Sequence, residues 1–232
     1  MANKLTVLAL LGILSCSICL AADQEQQKPD PKDFMQSGSK FVQDKKYKEA
    51  AREFQTAVNL DPNNAEAHLL LGLTLTNLGD FDKAIQSCLK SVELKPSYSG
   101  YYNLGVIYSN QGTYDKASEA YQKAIEQNPK SYQAWHQLGK VYATDLKFDK
   151  AIEAYQKAAQ LNPKFPDAFQ GLGSAYYWSG DLTMALQQVD ELSKLKFEDK
   201  ALELEHWIKN KEAKKKKASK NVPQNQQSVV NP

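Results

Sequence analysis

Cysteine is scarce in this chain: Cys16 and Cys19 stand in an apolar N-terminal stretch, and Cys88 is the third and last. Once that stretch is removed no intramolecular disulfide is possible, and Cys88 is expected to be a small buried apolar residue. Long apolar runs are missing as well. The stretch from Leu5 to Leu14 falls short of the roughly 20 residues a membrane-spanning helix needs, and no later segment approaches that length. The three histidines, His68, His136 and His206, are scattered, and the chain holds no HExxH, paired CxxC, P-loop glycine pattern or GxSxG elbow. Gly171 and Gly173 belong to a regular glycine series. No residue set for catalysis, a metal or a cofactor is present, so the chain reads as a non-enzyme.

The N-terminus departs from an otherwise ordinary globular composition of 42% hydrophobic and 24% charged residues. Lys4 precedes the apolar stretch, and small residues follow through Ala21 and Ala22. This pattern predicts a secretory signal peptide over residues 1–22, cut after Ala21 or Ala22, with a short linker over 23–30. Two other readings stay open: an uncleaved anchor, and a lipoprotein signal with Cys16 acylated. The second fits less well, because Leu14 stands where a small residue is wanted and no polar tether follows Cys16 or Cys19.

What the chain does have is a repeat. Glycine recurs at 38, 72, 105, 139 and 173, and alanine at 50, 84, 117, 151 and 185, both at intervals of 34, 33, 34 and 34. Proline keeps the same register at 62, 96, 129 and 163, with Phe197 in the fifth place. Bulky columns run Phe41, Leu75, Tyr108, Tyr142, Tyr176, then Tyr47, Phe81, Tyr114, Phe148, Leu182, and then Phe54, Cys88, Tyr121, Tyr155, Val189. Five of only 11 glycines in one register cannot be chance.

Each glycine and alanine lie 12 residues apart about a polar turn such as Asn77-Leu78-Gly79-Asp80. That spacing predicts a hairpin of two antiparallel helices whose small residues meet. Asp82, Asp115 and Asp149 are expected to cap the second helices. The residues before Pro62, Pro96, Pro129 and Pro163 are expected to leave helical geometry and open the next hairpin. A hairpin cannot bury its apolar face alone, so stacking is obligatory. Ala201, Leu204, Trp207 and Ile208 then recur at helical spacing and predict a capping helix over 200–213.

Trp135, Leu138, Gly139, Tyr142, Phe148, Ala151, Tyr155, Ala158 and Pro163 together resemble the tetratricopeptide repeat. Five repeats are placed at 31–64, 65–98, 98–131, 132–165 and 166–199. Ser37, His68 and Phe197 depart from the pattern in the first, second and fifth. The resemblance implies an all-α fold, a right-handed superhelical solenoid of five hairpins plus the capping helix. It also implies a concave groove, lined by each first helix, that binds protein or peptide segments. Carried onto this sequence, the groove residues are Leu69, Leu73, Tyr102, Val106, Asn110, His136, Lys140, Tyr177 and Trp178. Lys140 is the one clear cation among them, so an acidic-tail clamp is not expected, and an apolar, amide-bearing wall suits a segment with hydrophobic anchors. Leu69 and Leu73 could equally be covered by neighbouring hairpins, and Tyr102 could lie flat over the core. His136 lies one helical turn from Lys140 and would make binding sensitive to pH.

Residues 209–220 hold seven lysines and one glutamate; without Lys4 and this segment the chain has 21 basic against 26 acidic residues. Residues 214–232 are expected to form a lysine-rich disordered tail. Lys214, Lys215, Lys216 and Lys217 could touch an anionic membrane surface or polymer, or simply complement a helix C-terminus. Nucleic acid is not expected, since no aromatic interleaves with these lysines. The chain is therefore expected to be an exported scaffold, in a bacterial periplasm before secretion or lipid anchoring. The alternative is a cell-envelope assembly factor tethered through the lysines.

Overall fold

The computed structural model describes residues 29–220, which hold eleven α-helices and no strand. The expected signal peptide and the segment from residue 221 lie outside the described residues. Two compact units divide the chain, one ending at Pro62 and the other beginning at Asn63. The first holds a single hairpin of α1 (Pro31–Gln43) and α2 (Tyr47–Leu60). The second holds four hairpins: α3 (Ala65–Leu78) with α4 (Phe81–Leu94), α5 (Tyr98–Asn110) with α6 (Tyr114–Gln127), α7 (Tyr132–Thr144) with α8 (Phe148–Leu161), and α9 (Pro166–Ser179) with α10 (Leu182–Lys194). A long helix, α11 (Glu198–Lys220), ends the described chain. Among the described residues the protein is thus all-helical, with consecutive hairpins in the expected register.

First helices start on side-chain caps except α9, which follows Phe165 and opens on Pro166. Asn64 accepts from the Ala67 amide, Ser97 from Gly100 and Ser131 from Ala134, each satisfying an amide that the helix leaves without a partner. Apart from α10, whose Asp181 accepts from the Met184 amide, the second helices differ, and the expected aspartate caps are corrected. The caps of α4, α6 and α8 are Asp80, Thr113 and Lys147, and none makes a side-chain cap bond. Asp82, Asp115 and Asp149 sit inside the first turn, where a carboxylate complements the positive end of the helix dipole.

The reason lies in the turn. The amides of Asp80, Thr113 and Lys147 reach back to the carbonyls of Leu75, Tyr108 and Tyr142, closing a Schellman motif that brings the new helix in two residues early. The motif needs one left-handed residue, which is Lys45, Gly79, Gly112 and Leu146 in the first four hairpins; in the fifth, left-handed Gly180 makes a single bond from its amide to the Tyr176 carbonyl. Between hairpins the chain breaks as expected: Asp61, Lys95, Asn128 and Asn162 are extended, each before its proline. Where Phe197 replaces that proline, the chain uses a left-handed Lys196 and enters α11 through the hairpin type of turn.

The five register alanines are all fully buried. Their expected pairing with the glycines is corrected for most hairpins, because the glycines face rings instead. A Cβ at Gly139 would lie 2.8 Å from the Tyr155 ring, and one at Gly171 would lie 2.5 Å from the same ring. Tyr155, on α8, is therefore held between α7 and α9. In the second hairpin the smaller Cys88 takes the ring's place, and a Cβ at Gly72 would lie 2.4 Å from its Sγ and 3.2 Å from the Ala84 carbonyl oxygen. Cys88 is buried, as expected, and burial pushes its thiol up to about 12. It is no nucleophile in that state.

Helix α11 packs on both α9 and α10 with Ala201, Leu204 and Ile208 buried. It starts two residues before the expected capping helix and continues past residue 213, so Lys214 to Lys217 lie on helix and not in an unstructured tail. Lysine and alanine are good helix formers. Once a packed first half has met the nucleation cost, propagation carries the helix through an unpatterned lysine run.

Candidate functional site

Within the second unit each second helix packs on the next first helix, and first helices also touch one another, α3 with α5, α7 with α9 and α9 with α11. The first helices of this unit share one side, a wall along which the expected groove residues fall in five distinct settings.

Val106 and Asn110 of α5 meet Lys140 of α7 in one cavity of about 330 Å³. Ser109, Gln137, Val141 and Thr144 complete its sides, and Tyr114 and Tyr121 of α6 close it from behind. Tyr121 is 1% exposed, and burial pushes its phenol up against a hydrogen bond with Ser109 that pulls it down. The cavity thus joins two valines and a tyrosine floor to amides, hydroxyls and one lysine, and no carboxylate lines it. Among the described residues Lys140 forms no ion pair, although its neighbour Lys147 is held by Asp115 and Asp145.

Tyr102 and His136 lie in ring stacks. Tyr102 stacks on Tyr98 at 5.5 Å between centroids and meets Tyr121 edge-on at the same distance. The Tyr98 hydroxyl bonds Ser131 across the next hairpin at 2.8 Å. His136 sits between Phe165 at 5.0 Å and Tyr155 at 5.6 Å. Burial in that setting lowers its pKa, with Asp167 opposing the shift and Lys140 and Lys200 adding to it.

The linkage sign follows. The folded pKa lies below the unfolded one, so as pH falls through the ordinary imidazole range of about 6.5 the unfolded chain takes up the proton first and stability drops. Thermal melts between pH 7.5 and 5 should show this loss, and His136→Phe should reduce it. Equal pH slopes for the two chains would remove His136 as its source.

At the end of the wall Tyr177 is partly covered by α11. Its ring lies 6.2 Å from Trp207, and Lys211 Nζ stands 4.2 Å above it while donating to the Tyr177 carbonyl oxygen. That carbonyl belongs to the last turn of α9, where helical partners run out, so Lys211 acts as a cap from the neighbouring helix. Trp178 is 60% exposed at the hairpin edge and lines a different cleft. Leu69 and Leu73 are half-buried on α3 and line none of these cavities.

The opposite side of the unit carries features that the groove reading missed. Cavities of about 230 and 460 Å³ are lined by Tyr101, Tyr108, Lys116 and Glu119, and by Trp135, Tyr142, Lys150 and Glu153. The two sets are one repeat apart. In each a lysine ammonium lies over the tyrosine ring, at 5.7 and 5.6 Å. The available signal was the repeat itself, since every member of one set has its counterpart 34 residues on. Among the described residues no cluster of three or more His, Cys, Asp or Glu could hold a metal ion.

Family models of the tetratricopeptide repeat match residues 65–98, 99–131 and 120–153, and a TPR-repeat model matches 38–79 and 147–180. A crystal structure of MamA is 34% identical, covers 76% of this chain and 96% of its own, and superposes with a TM-score of 0.64. The chain belongs to the tetratricopeptide-repeat family.

Proteins of this family are interaction scaffolds, and none of the matching models describes an enzyme. YrrB, described as a TPR protein with an unusual peptide-binding site, has a TM-score of 0.69 with 78% of this chain and 95% of its own covered; at 20% identity it shares the fold alone. The Hsp70-Hsp90 organising protein of Plasmodium falciparum is 26% identical over 65 residues, which is 28% of this chain and 12% of that protein. The tetratricopeptide chain here therefore matches about an eighth of that relative's length.

Proposed function

We propose that this chain is an exported adaptor that seats an extended segment of a partner protein against the cavity between α5, α6 and α7. The observation that carries the reading is the meeting of Val106, Asn110 and Lys140 in one polar-rimmed cavity. An extended segment offers a main-chain amide and carbonyl at every residue. Asn110 and Gln137 can each donate to one and accept from the other, and the valines with Tyr121 offer a floor for an apolar side chain. Lys140 favours a carboxylate beside that anchor.

Selection of binders by the parent chain from a random peptide library, with affinities from fluorescence polarisation, tests the reading. Asn110→Ala and Lys140→Glu together should weaken the selected peptides at least tenfold, about 1.4 kcal/mol. Both residues are exposed, so helical content should stay unchanged. Equal affinity in parent and variant would move recognition off this cavity.

Export rests on residues 1–22, and sequencing the N-terminus of the protein purified from its host should return Ala22 or Asp23 as the first residue. A second reading, an envelope assembly factor tethered through Lys214 to Lys217, is favoured by the continuation of α11 to Lys220 with these four side chains exposed. Replacing the four lysines by glutamine would then release the protein from the envelope while peptide affinity stays at the parent level.

A further inference from the structure

Leu146 is the one apolar residue among the left-handed turn positions of the described residues, where the other non-glycines are Lys45 and Lys196. It fills the left-handed turn position held by glycine at 79, 112 and 180, with φ of 59°, and its side chain is 73% exposed. A branched apolar residue in that conformation is strained, and nothing in the fold is gained by its burial. Beside it, one hairpin on, stands Trp178 at 60% exposed. The two line a cleft of about 550 Å³ together with Phe148, Ser179, Lys147, Lys150 and one carboxylate, Asp149.

The lysine helix arrives at the same edge. Lys200 pairs with Asp167 at the start of α9, and Lys211 reaches Tyr177 at its end, so α11 and α9 run in the same direction. Lys211 Nζ lies 5.9 Å from the Trp178 ring. From Lys211 the helix continues to Lys220, about 14 Å at 1.5 Å per residue. Lys214 to Lys217 therefore extend beyond the edge that carries Leu146 and Trp178.

We propose that this hairpin edge contacts an anionic bilayer, with Leu146 and Trp178 entering its interfacial layer and Lys214 to Lys217 meeting the headgroups. Four successive helical residues point in directions about 100° apart and so surround the helix. One protein surface could engage only part of that set, whereas a diffuse plane of negative charge attracts all of it, and flexible stems let the ammonium groups reach down to it. Tryptophan suits the layer between water and acyl chains, and a leucine on a turn tip can enter that layer without exposing backbone beneath it. A soluble polyanion would satisfy the lysines and leave the two apolar residues in water.

The test uses the full chain with Trp178 as its sole tryptophan, made by Trp135→Phe and Trp207→Phe. Phosphatidylglycerol vesicles should shift Trp178 emission to the blue, brominated acyl chains should quench it, and phosphatidylcholine vesicles should do neither. Replacing Lys214 to Lys217 by glutamine should weaken vesicle binding at least about tenfold and up to about a thousandfold, the scale expected if all four lysines lie near an anionic surface. Leu146→Gly should melt no lower than the parent, because glycine suits the turn, and yet bind vesicles more weakly; loss of folding cannot produce that pair of results. Vesicle binding without Trp178 quenching would assign attachment to the N-terminal apolar stretch and overturn the proposal. An equal blue shift with polyphosphate, or one that grows with protein concentration in the absence of lipid, would overturn it in favour of a polyanion or a second copy of the chain.

Discussion

Tyr155→Ala should destabilise the second unit by about 3–5 kcal/mol, the range for removing a large buried aromatic. The ring is 4% exposed and occupies a slot whose two walls are the missing side chains of Gly139 and Gly171. The walls are helix backbone on α7 and α9, so they cannot close over the void without moving two hairpins. Tyr155→Phe should cost little, because the hydroxyl adds no contact that the slot depends on. Gly171→Ala should cost about 1–3 kcal/mol by overpacking, since its Cβ would press on the ring at 2.5 Å. Urea melts followed by circular dichroism give all three values. A loss below about 1 kcal/mol for Tyr155→Ala would mean that the slot collapses and that the glycine register serves some other end.

Ending the chain after Lys196 should have an effect of similar size, expressed locally. Leu204 and Ile208 are almost wholly buried against the last hairpin, and a Cβ at Gly173 would lie 2.3 Å from a Leu204 methyl. Without α11 the apolar side of α9 and α10 faces water, and burial of two large aliphatic side chains, at about 1.5–3 kcal/mol each, is lost. Repeat arrays are stabilised between neighbours, so the loss should appear as fraying of the fifth hairpin more than as global unfolding. Hydrogen exchange should show protection falling over 166–194 and persisting over 98–144. Unchanged protection over 166–194 would mean that the fifth hairpin needs no cap.

The repeat, its hairpin period, the proline joints and the presence of a capping helix were all legible, because each depends on spacing along one chain. Gly139 and Pro163 announce themselves by recurring. Which wall residues meet was not legible. Val106 and Lys140 share a cavity while Leu73 does not, and that depends on the rotation of one hairpin against the next, which no single repeat records. The aspartates at 82, 115 and 149 were misread by two helical positions, because the backbone closes the turn by itself and removes the need for a side-chain cap there. Leu146 could have been found: Lys45, Gly79, Gly112, Leu146 and Gly180 keep the same intervals as the glycine and alanine columns. A column that mixes glycine with lysine and leucine looks like noise until the left-handed geometry shared by its members is seen.

The cavity holding Val106, Asn110 and Lys140 straddles two hairpins, and the chain between them leaves the helix only over residues 128–131. A segment lodged there would act as a strut across a hinge. Occupancy would then be felt as stiffness, damping the flexing of the third hairpin against the fourth. In an array where each unit leans only on its neighbours, a strut at one joint changes how far a disturbance at either end can travel. The partner would alter the mechanics of the scaffold as well as occupy its surface.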